Sequence, residues 1–378
     1  MGVIGVGGMG AYHAKYIQAG EIQRCELAAV CDIDERKLSG WGDIKTFTDS
    51  RELIRSGLVD AVSIATPHYD HTTIGIDALE NGIHVLVEKP ISVHKADCRR
   101  LIAAHEKNKN LKFQAMFQLR TEPLWKKLKQ LVAGAELGEI TRIIWIATDW
   151  FRTEAYYASG GWRATWSGEG GGILMNQCPH NLDLLQWIFG MPSKIRAFLR
   201  FGAKHDIEVE DETTAYLEWP TGTTGVFIAS TGEAPGTNRL EIAGERGNIV
   251  VQHGKIHFRR NETPMTEFSR TTAEGFALPS AWNIEIPYGG GPTGHQVMTQ
   301  NFINAILDGV DLIAPAEEGI KSVEIANAMT YSSLTNSTVE LPLDAAAFEA
   351  KLKELCADSK FVKKVVEIKG EDITSSFK

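Results

Sequence analysis

The alternation in its first 120 residues constrains this chain most. Val3–Val6, Leu27–Cys31, Ala61–Ala65, Val85–Val87 and Phe113–Met116 are short unbroken runs of apolar or small residues. Such runs mark strands buried on both faces. Between them, Met9–Ala19, Asp49–Ser56, His71–Asn81 and His94–Lys107 read as helices. Strand–helix alternation of this kind predicts a parallel sheet covered on both sides.

Past residue 120 the pattern changes. Ile140–Trp150, Lys194–Phe201, Thr213–Trp219, Thr223–Ser230, Asn238–Ala243, Asn248–Gln252 and Lys255–Arg259 are strand-like, with turn signals at Pro220-Thr221-Gly222 and His253-Gly254. Strands this closely spaced predict a large, open, mainly antiparallel sheet. Helices are expected beside it at Glu122–Ala133, Pro179–Phe189, Gln296–Asp308 and Glu317–Leu334. The expected division is an α/β domain over 1–120 and an α+β domain over 121–378, ending in a helical tail over 344–378. With 378 residues, 43% of them hydrophobic, both domains have material for a core.

A formal net charge of −9 argues against nucleic acid, because phosphate binding needs a basic face. No apolar run is long enough to span a bilayer, so no membrane partner is expected. Cys25, Cys31, Cys98, Cys178 and Cys356 form no CxxC pair and read as free thiols in a reducing compartment, the cytoplasm. No signal peptide is visible. The sequence opens almost inside its first strand, so whether a few preceding residues have been trimmed is left open.

Gly5-Val6-Gly7-Gly8-Met9-Gly10 is a GxGxxG that follows an apolar strand and opens a helix. That context makes it a dinucleotide fingerprint. Its glycines permit the tight turn and the close approach of a pyrophosphate, and the helix N-terminus offers unpaired N–H groups to the phosphates. Asp32 ends the second strand, 22 residues after Gly10, where a carboxylate accepts hydrogen bonds from ribose hydroxyls. An anion there favours NAD over NADP. Arg36 leaves NADP open, since it lies near enough to reach a 2′-phosphate or merely to cover the adenine.

Further segments carry a resemblance. Thr66-Pro67-His68-Tyr69-Asp70-His71 follows the strand at 61–65, and Glu88-Lys89-Pro90 follows the strand at 85–87. Trp162-Arg163 precedes Gly170-Gly171-Gly172-Ile173-Leu174-Met175-Asn176-Gln177-Cys178-Pro179-His180-Asn181-Leu182-Asp183. Together with the glycine loop, these motifs resemble the glucose–fructose oxidoreductase / inositol dehydrogenase / MocA family over the chain as far as Pro342. The resemblance implies a Rossmann domain followed by an open-sheet domain, and an NAD(P)-dependent dehydrogenase of sugars or cyclitols. It implies cofactor contacts from Gly5, Gly7, Gly8, Met9, Gly10, Asp32, Ile33, Arg36, Thr66, Pro67, His71, Glu88, Lys89, Pro90, Gln118, Trp162 and Arg163.

Oxidising a secondary alcohol needs a hydride acceptor, a proton acceptor and donors that hold the oxygen. Lys89, at a strand end and partly desolvated, is expected to have a depressed pKa and to share in proton transfer, the role of the matching family lysine. His180 suits acid–base work near neutral pH and matches the family histidine. The family often has Asp four residues before that histidine, where this chain has Asn176. An amide cannot take a proton. Asn176 is therefore assigned to hydrogen bonding, and proton removal to His180 with Lys89. Asp183 shares a helix face with His180 and is read as orienting a hydroxyl or the imidazole, with a capping or surface role as the alternative. Arg120, Tyr156, Tyr157 and His295 are further substrate candidates. The alternatives are ordinary core aromatics for the tyrosines and a helix start for His295. A third ligand to go with His180 and Asp183 is lacking, so no metal is expected.

The leading function is transfer of hydride between a ring secondary alcohol of a sugar, glycoside or cyclitol and the nicotinamide, with glycoside C3 oxidation as one specific form. A glycosidase that oxidises transiently and a non-catalytic cofactor-binding regulator are the alternatives. The presence of both Lys89 and His180 argues against the regulator. The Lys89–Pro90 bond is expected to be cis, and the open sheet is expected to pack in a homo-dimer or tetramer.

Overall fold

The first third of the chain forms one parallel sheet, and its three motif loops emerge together. In the computed structural model, which describes residues 1–366, the strands are β1 (Gly2–Ile4), β2 (Ala29–Cys31), β3 (Lys45–Phe47), β4 (Ala61–Ile64), β5 (His84–Val87) and β6 (Phe113–Ala115). Their order is β3-β2-β1-β4-β5-β6, and every pairing is parallel. The five expected strands are present. The sixth, β3, is a short edge strand whose exposed Lys45 and Thr46 give no apolar run to recognise. Because parallel strands all end on one side, the loops after β1, β4 and β5 share one rim. The order reverses between β1 and β4, which opens the ligand crevice at that rim.

The second sheet has nine strands, completed by β7 (Ile140–Ala147), β8 (Lys194–Phe201), β9 (Glu210–Glu218), β10 (Thr224–Ser230), β11 (Asn238–Gly244), β12 (Gly247–Gln252), β13 (Lys255–Asn261), β14 (Ala281–Ile286) and β15 (Val339–Glu340). The order is β14-β13-β12-β11-β7-β10-β9-β8-β15. It is antiparallel except for β7 against β10, which run parallel. Both outermost strands, β14 and β15, escaped the sequence reading: β15 is two residues long, and β14 leaves Trp282 exposed.

The strands alternate in and out. Trp145, Phe227 and Leu240 are fully buried on the face that carries the helices, where Trp145 meets Trp125 at 5.4 Å. Ile144, Ile146, Val226, Ile228, Tyr216 and Phe198 point the other way, and Phe198 is 60% exposed. That face mixes these apolar side chains with charged ones, for Glu241 and Arg239 lie directly opposite Ile144 and Ile146 and Arg142 pairs with Glu241.

The tail is helical over less of its length than expected. The helix Ala345–Asp358 starts where the Asp344 carboxylate accepts from the N–H groups of Ala346 and Ala347. It stops at Ser359, and Phe361–Val366 runs without regular structure, consistent with three β-branched valines in six residues. The remainder of the expected tail, 367–378, lies outside the described residues. The Lys89–Pro90 bond is cis, as are Ala234–Pro235 and Leu341–Pro342.

A buried ion pair ties the two halves below the crevice. Arg120 donates to both oxygens of Asp183, at 2.8 and 2.6 Å, and to Glu318 at 2.6 Å, while Phe117 and Trp187 flank its guanidinium. Both partners are 1% exposed. Arg120 and Asp183, expected at the substrate, thus hold one another, because neither charge can be buried without its counterpart. Asp183→Ala should destabilise the protein by about 3 kcal/mol, since it leaves the guanidinium with the partly exposed Glu318 as its one contacting carboxylate and a long bond to the Ile313 carbonyl. Urea unfolding at neutral pH measures this, and the double variant Arg120→Met/Asp183→Leu should regain most of the loss. A single variant as stable as wild type would contradict the pairing as a structural tie.

Candidate active site

The glycine loop has the shape of an anion cradle. Gly5 lies at φ +84°, and a Cβ on Gly10 would sit 1.7 Å from the Gly5 carbonyl oxygen, so both are dictated by the turn. A Cβ on Gly7 would meet no atom within 4 Å, so no protein atom requires that glycine. The space it leaves is where a pyrophosphate approaches the backbone. The helix Gly8–Gln18 begins there with no side-chain cap, and Met9 and the exposed Gly8 supply first-turn N–H groups. Across the rim, Thr66 Oγ1 is buried without a protein partner beside Pro67. These features fit a dinucleotide.

At the end of β2, the Asp32 carboxylate accepts from the N–H groups of Val6 at 3.0 Å and Asp34 at 2.9 Å. Ile33 follows it, 91% exposed, an apolar surface beside the carboxylate. Arg36 is turned toward Asp34, at 2.9 Å. The cation beside Asp32 is instead Lys37, with Nζ 3.4 Å from both carboxylate oxygens. The sequence reading missed Lys37, which reaches back because Glu35–Leu38 winds as a short 3₁₀ helix.

Beneath the rim, two buried histidines brace the loops. His71, expected at the cofactor, is fully buried: its ring nitrogens face the carbonyls of Thr66 at 2.9 Å and Pro90 at 2.8 Å, joining the β4 and β5 loops. Burial favours the neutral ring, which donates to one of the two. His13, absent from the sequence reading, lies 2.7 Å from Glu88 and 2.8 Å from the Tyr16 hydroxyl. Burial opposes ionisation of Glu88, but its contact with His13 wins and holds the carboxyl at about 2. The other Glu88 oxygen accepts from the Lys89 N–H at 3.1 Å, which fixes where the lysine begins.

Lys89 then crosses the crevice. Its Nζ donates to the Asn176 carbonyl at 2.7 Å, bringing the β5 rim against the segment that leads into helix Pro179–Phe189. Burial lowers the ammonium's pKa, against the opposing charges of Glu88 and Glu169. The glycine run makes the approach feasible, for a Cβ on Gly170 would stand 2.0 Å from Val93 Cγ1 on the β5 side, and one on Gly172 would stand 2.0 Å from the Glu210 carbonyl oxygen within its own wall. Glu210, also unanticipated, accepts from the N–H groups of Gly172 and Leu174 at 2.9 and 3.0 Å and caps the short helix Ile173–Asn176. Burial pushes its carboxyl up to about 7.

His180 is buried beside Phe117, and burial together with the nearby Lys89 charge drives its pKa well below the usual imidazole range. Its Nε2 lies 3.3 Å from the Gln118 amide. His180 Nδ1 and Gln118 Oε1 are both buried without protein partners. Such orphaned groups are what a substrate hydroxyl would complete. His295, at the first turn of helix His295–Asp308, packs against Tyr12 and His13 with ring centroids at 5.7 and 5.5 Å, and burial lowers it to about 4.

On the far wall, the Asn176 amide oxygen accepts from the Tyr156 hydroxyl at 3.3 Å, and Arg163 donates to that hydroxyl at 2.9 Å. Trp162 packs on His68 at 5.4 Å. Tyr157 departs from expectation: it is buried and donates its hydroxyl to Thr231 at 2.8 Å. Among the described residues, no group of three or more His, Cys, Asp or Glu is arranged to hold a metal ion.

Comparison with known proteins identifies the family. Residues 1–116 match the oxidoreductase family with an NAD-binding Rossmann fold, and residues 125–250 match the GFO/IDH/MocA C-terminal domain. An inositol 2-dehydrogenase from Rubrobacter xylanophilus is 28% identical over 261 residues, covering 66% of this chain and 70% of the relative. A levoglucosan dehydrogenase from Pseudarthrobacter phenanthrenivorans is 25% identical over 330 residues, covering 78% and 83%. The crystal structure of the WlbA dehydrogenase from Chromobacterium violaceum, in complex with NADH and UDP-GlcNAcA, superposes with a TM-score of 0.78 at 27% identity, over 91% of this chain and 96% of that one. With both halves matched, the chain belongs to the Gfo/Idh/MocA family of NAD-binding oxidoreductases.

Proposed function

We propose that this protein is an NAD-dependent dehydrogenase that oxidises a ring secondary alcohol of a sugar, glycoside or cyclitol, with a glycoside C3 hydroxyl as the specific case to test. The observation that carries the reading is Lys89, whose Nζ crosses from the rim beside the glycine loop to the Asn176 carbonyl, together with His180, which feels the Lys89 charge and whose Nδ1 has no protein partner. Inositol and levoglucosan dehydrogenases among the relatives support the substrate class. The free thiols fit a cytoplasmic enzyme.

When bound, NAD supplies the hydride acceptor. The rest falls to the chain. His180 is neutral at physiological pH because burial and Lys89 disfavour its cation, so it accepts the hydroxyl proton. Nδ1, buried without a protein partner, is the nitrogen left for the substrate hydroxyl, with the Gln118 amide oxygen accepting from Nε2–H. Lys89, anchored on the Asn176 carbonyl, holds the reacting oxygen and shares the proton. Tyr156 and Arg163 form a wall suited to ring C–H faces and hydroxyls.

Sugars, glycosides and inositols incubated with NAD at alkaline pH should give NADH and a ketosugar of matching mass. Free reducing sugar without net NADH would point to the glycosidase instead. His180→Ala should lower kcat by roughly 10²–10⁴ with little change in NAD affinity. Lys89→Ala should be as severe and the double variant little worse, because groups acting as a unit are not additive. Asn176→Ala should raise KM more than it lowers kcat. Near-normal turnover in His180→Ala would refute the proton route.

NAD should bind at least as tightly as NADP in fluorescence titrations. Asp32→Ala should narrow the difference, and Lys37→Ala should widen it by removing the cation beside the 2′ position. A wild-type preference for NADP would overturn the reading of β2. We also propose a homo-dimer or tetramer packed through the face of Ile144, Ile146, Val226, Ile228, Tyr216 and Phe198. Sedimentation should show it at micromolar concentration and Ile146→Glu should dissociate it. A wild-type monomer would count against it.

A further inference from the structure

Position 176 holds an amide where the family often has a carboxylate, yet a carboxylate stands directly behind it. Glu169 is 1% exposed. One of its oxygens meets Asn176 Nδ2, and the other accepts from the Ala164 N–H at 2.6 Å. Both donors are neutral, so the charge is buried without being matched by contact. That is an expensive arrangement for a packing role, which an uncharged glutamine of the same shape would fill at lower cost.

Its effect on Asn176 is directional. An ionised carboxylate only accepts, so the amide must present its nitrogen to Glu169. The amide oxygen is thereby turned to the Tyr156 hydroxyl at 3.3 Å and to Gln177 Nε2 at 3.2 Å, while the backbone carbonyl of the same residue receives Lys89. Burial raises the Glu169 carboxyl above its ordinary range, and charges reach it from several elements: Arg163 and Lys363 favour its anion against that, Lys89 feels it across the crevice, and Glu210 feels it as a like charge.

We propose that Glu169 is a positioning residue of the hydride-transfer site: it locks the Asn176 amide with its oxygen toward Tyr156, and it supplies, from behind position 176, the negative charge that the asparagine lacks. The proposal rests on the dehydrogenase reading for its meaning but not for its test. A carboxylate there favours the charged form of Lys89, and removing it leaves desolvation less opposed.

The test is competitive labelling of the Lys89 amine by acetic anhydride in the full-length protein, read across pH by peptide mass spectrometry. Glu169→Gln should move the labelling midpoint about one pH unit downward. Glu169→Asp should restore it, as should Glu169→Gln/Asn176→Asp, which moves the carboxylate one layer forward. An unchanged midpoint in a folded Glu169→Gln would overturn the proposal. If that variant does not fold, Asn176→Asp alone places a second carboxylate beside Lys89 and should raise the midpoint, and an unchanged value there would overturn it equally. Labelling needs no turnover. A shifted midpoint in a protein inactive on every sugar tested sinks the dehydrogenase reading alone, and an unshifted one in an active enzyme sinks this inference alone.

Discussion

A single lysine ammonium, 2.7 Å from a backbone carbonyl on the other side of the crevice, is the contact on which the candidate site depends. Lys89 starts on the rim of the parallel sheet and ends on the segment that leads into the His180 helix. Everything around it fixes one of those two ends. Glu88, anchored by His13, sets the lysine's backbone, and His71 binds its loop to the neighbouring one. On the far side, Glu210 caps the turn bearing the carbonyl, and Gly170 lets the segment before it come close to Val93 beyond β5. The crevice is thus assembled by buried charge pinned at both walls, and Arg120 with Asp183 ties the segment at 118–121 to the His180 helix.

Electrostatics then sort the roles. Two histidines and one lysine sit where burial penalises their cations, which leaves His180 and His295 neutral and Lys89 easier to deprotonate than a surface lysine. The carboxylates split the other way. Glu88 stays ionised because a partner touches it, whereas burial raises Glu169 and Glu210, whose donors are neutral. A site holding a neutral base beside a labile ammonium is equipped to take a proton as hydride leaves.

Much of this was legible in the sequence because it is periodic or locally patterned. Helix Pro179–Phe189 and the placement of the glycine loop, Thr66 and Lys89 along one rim follow from runs, motif spacing and the rule that parallel strands end together. Contacts between distant, isolated residues were not legible. Arg120 and Asp183 each look like a site residue because each lies beside a motif, and only the fold shows that they bury one another. Glu169, Glu210, His13 and Lys37 carry no pattern, and their importance appears when the chain brings them to Asn176, Gly172, Glu88 and Asp32. Of the edge strands, β15 escaped because it is two residues long, and β14 because it buries no residue fully.

The central claim is direct hydride transfer from a ring carbon, and isotope tracing tests it most directly. A glycoside or inositol deuterated on its ring carbons would be incubated with NAD and the cofactor recovered for mass analysis. The account predicts one deuterium in the reduced cofactor for every ketone formed. Ketone formed while the recovered cofactor carries no deuterium would contradict it.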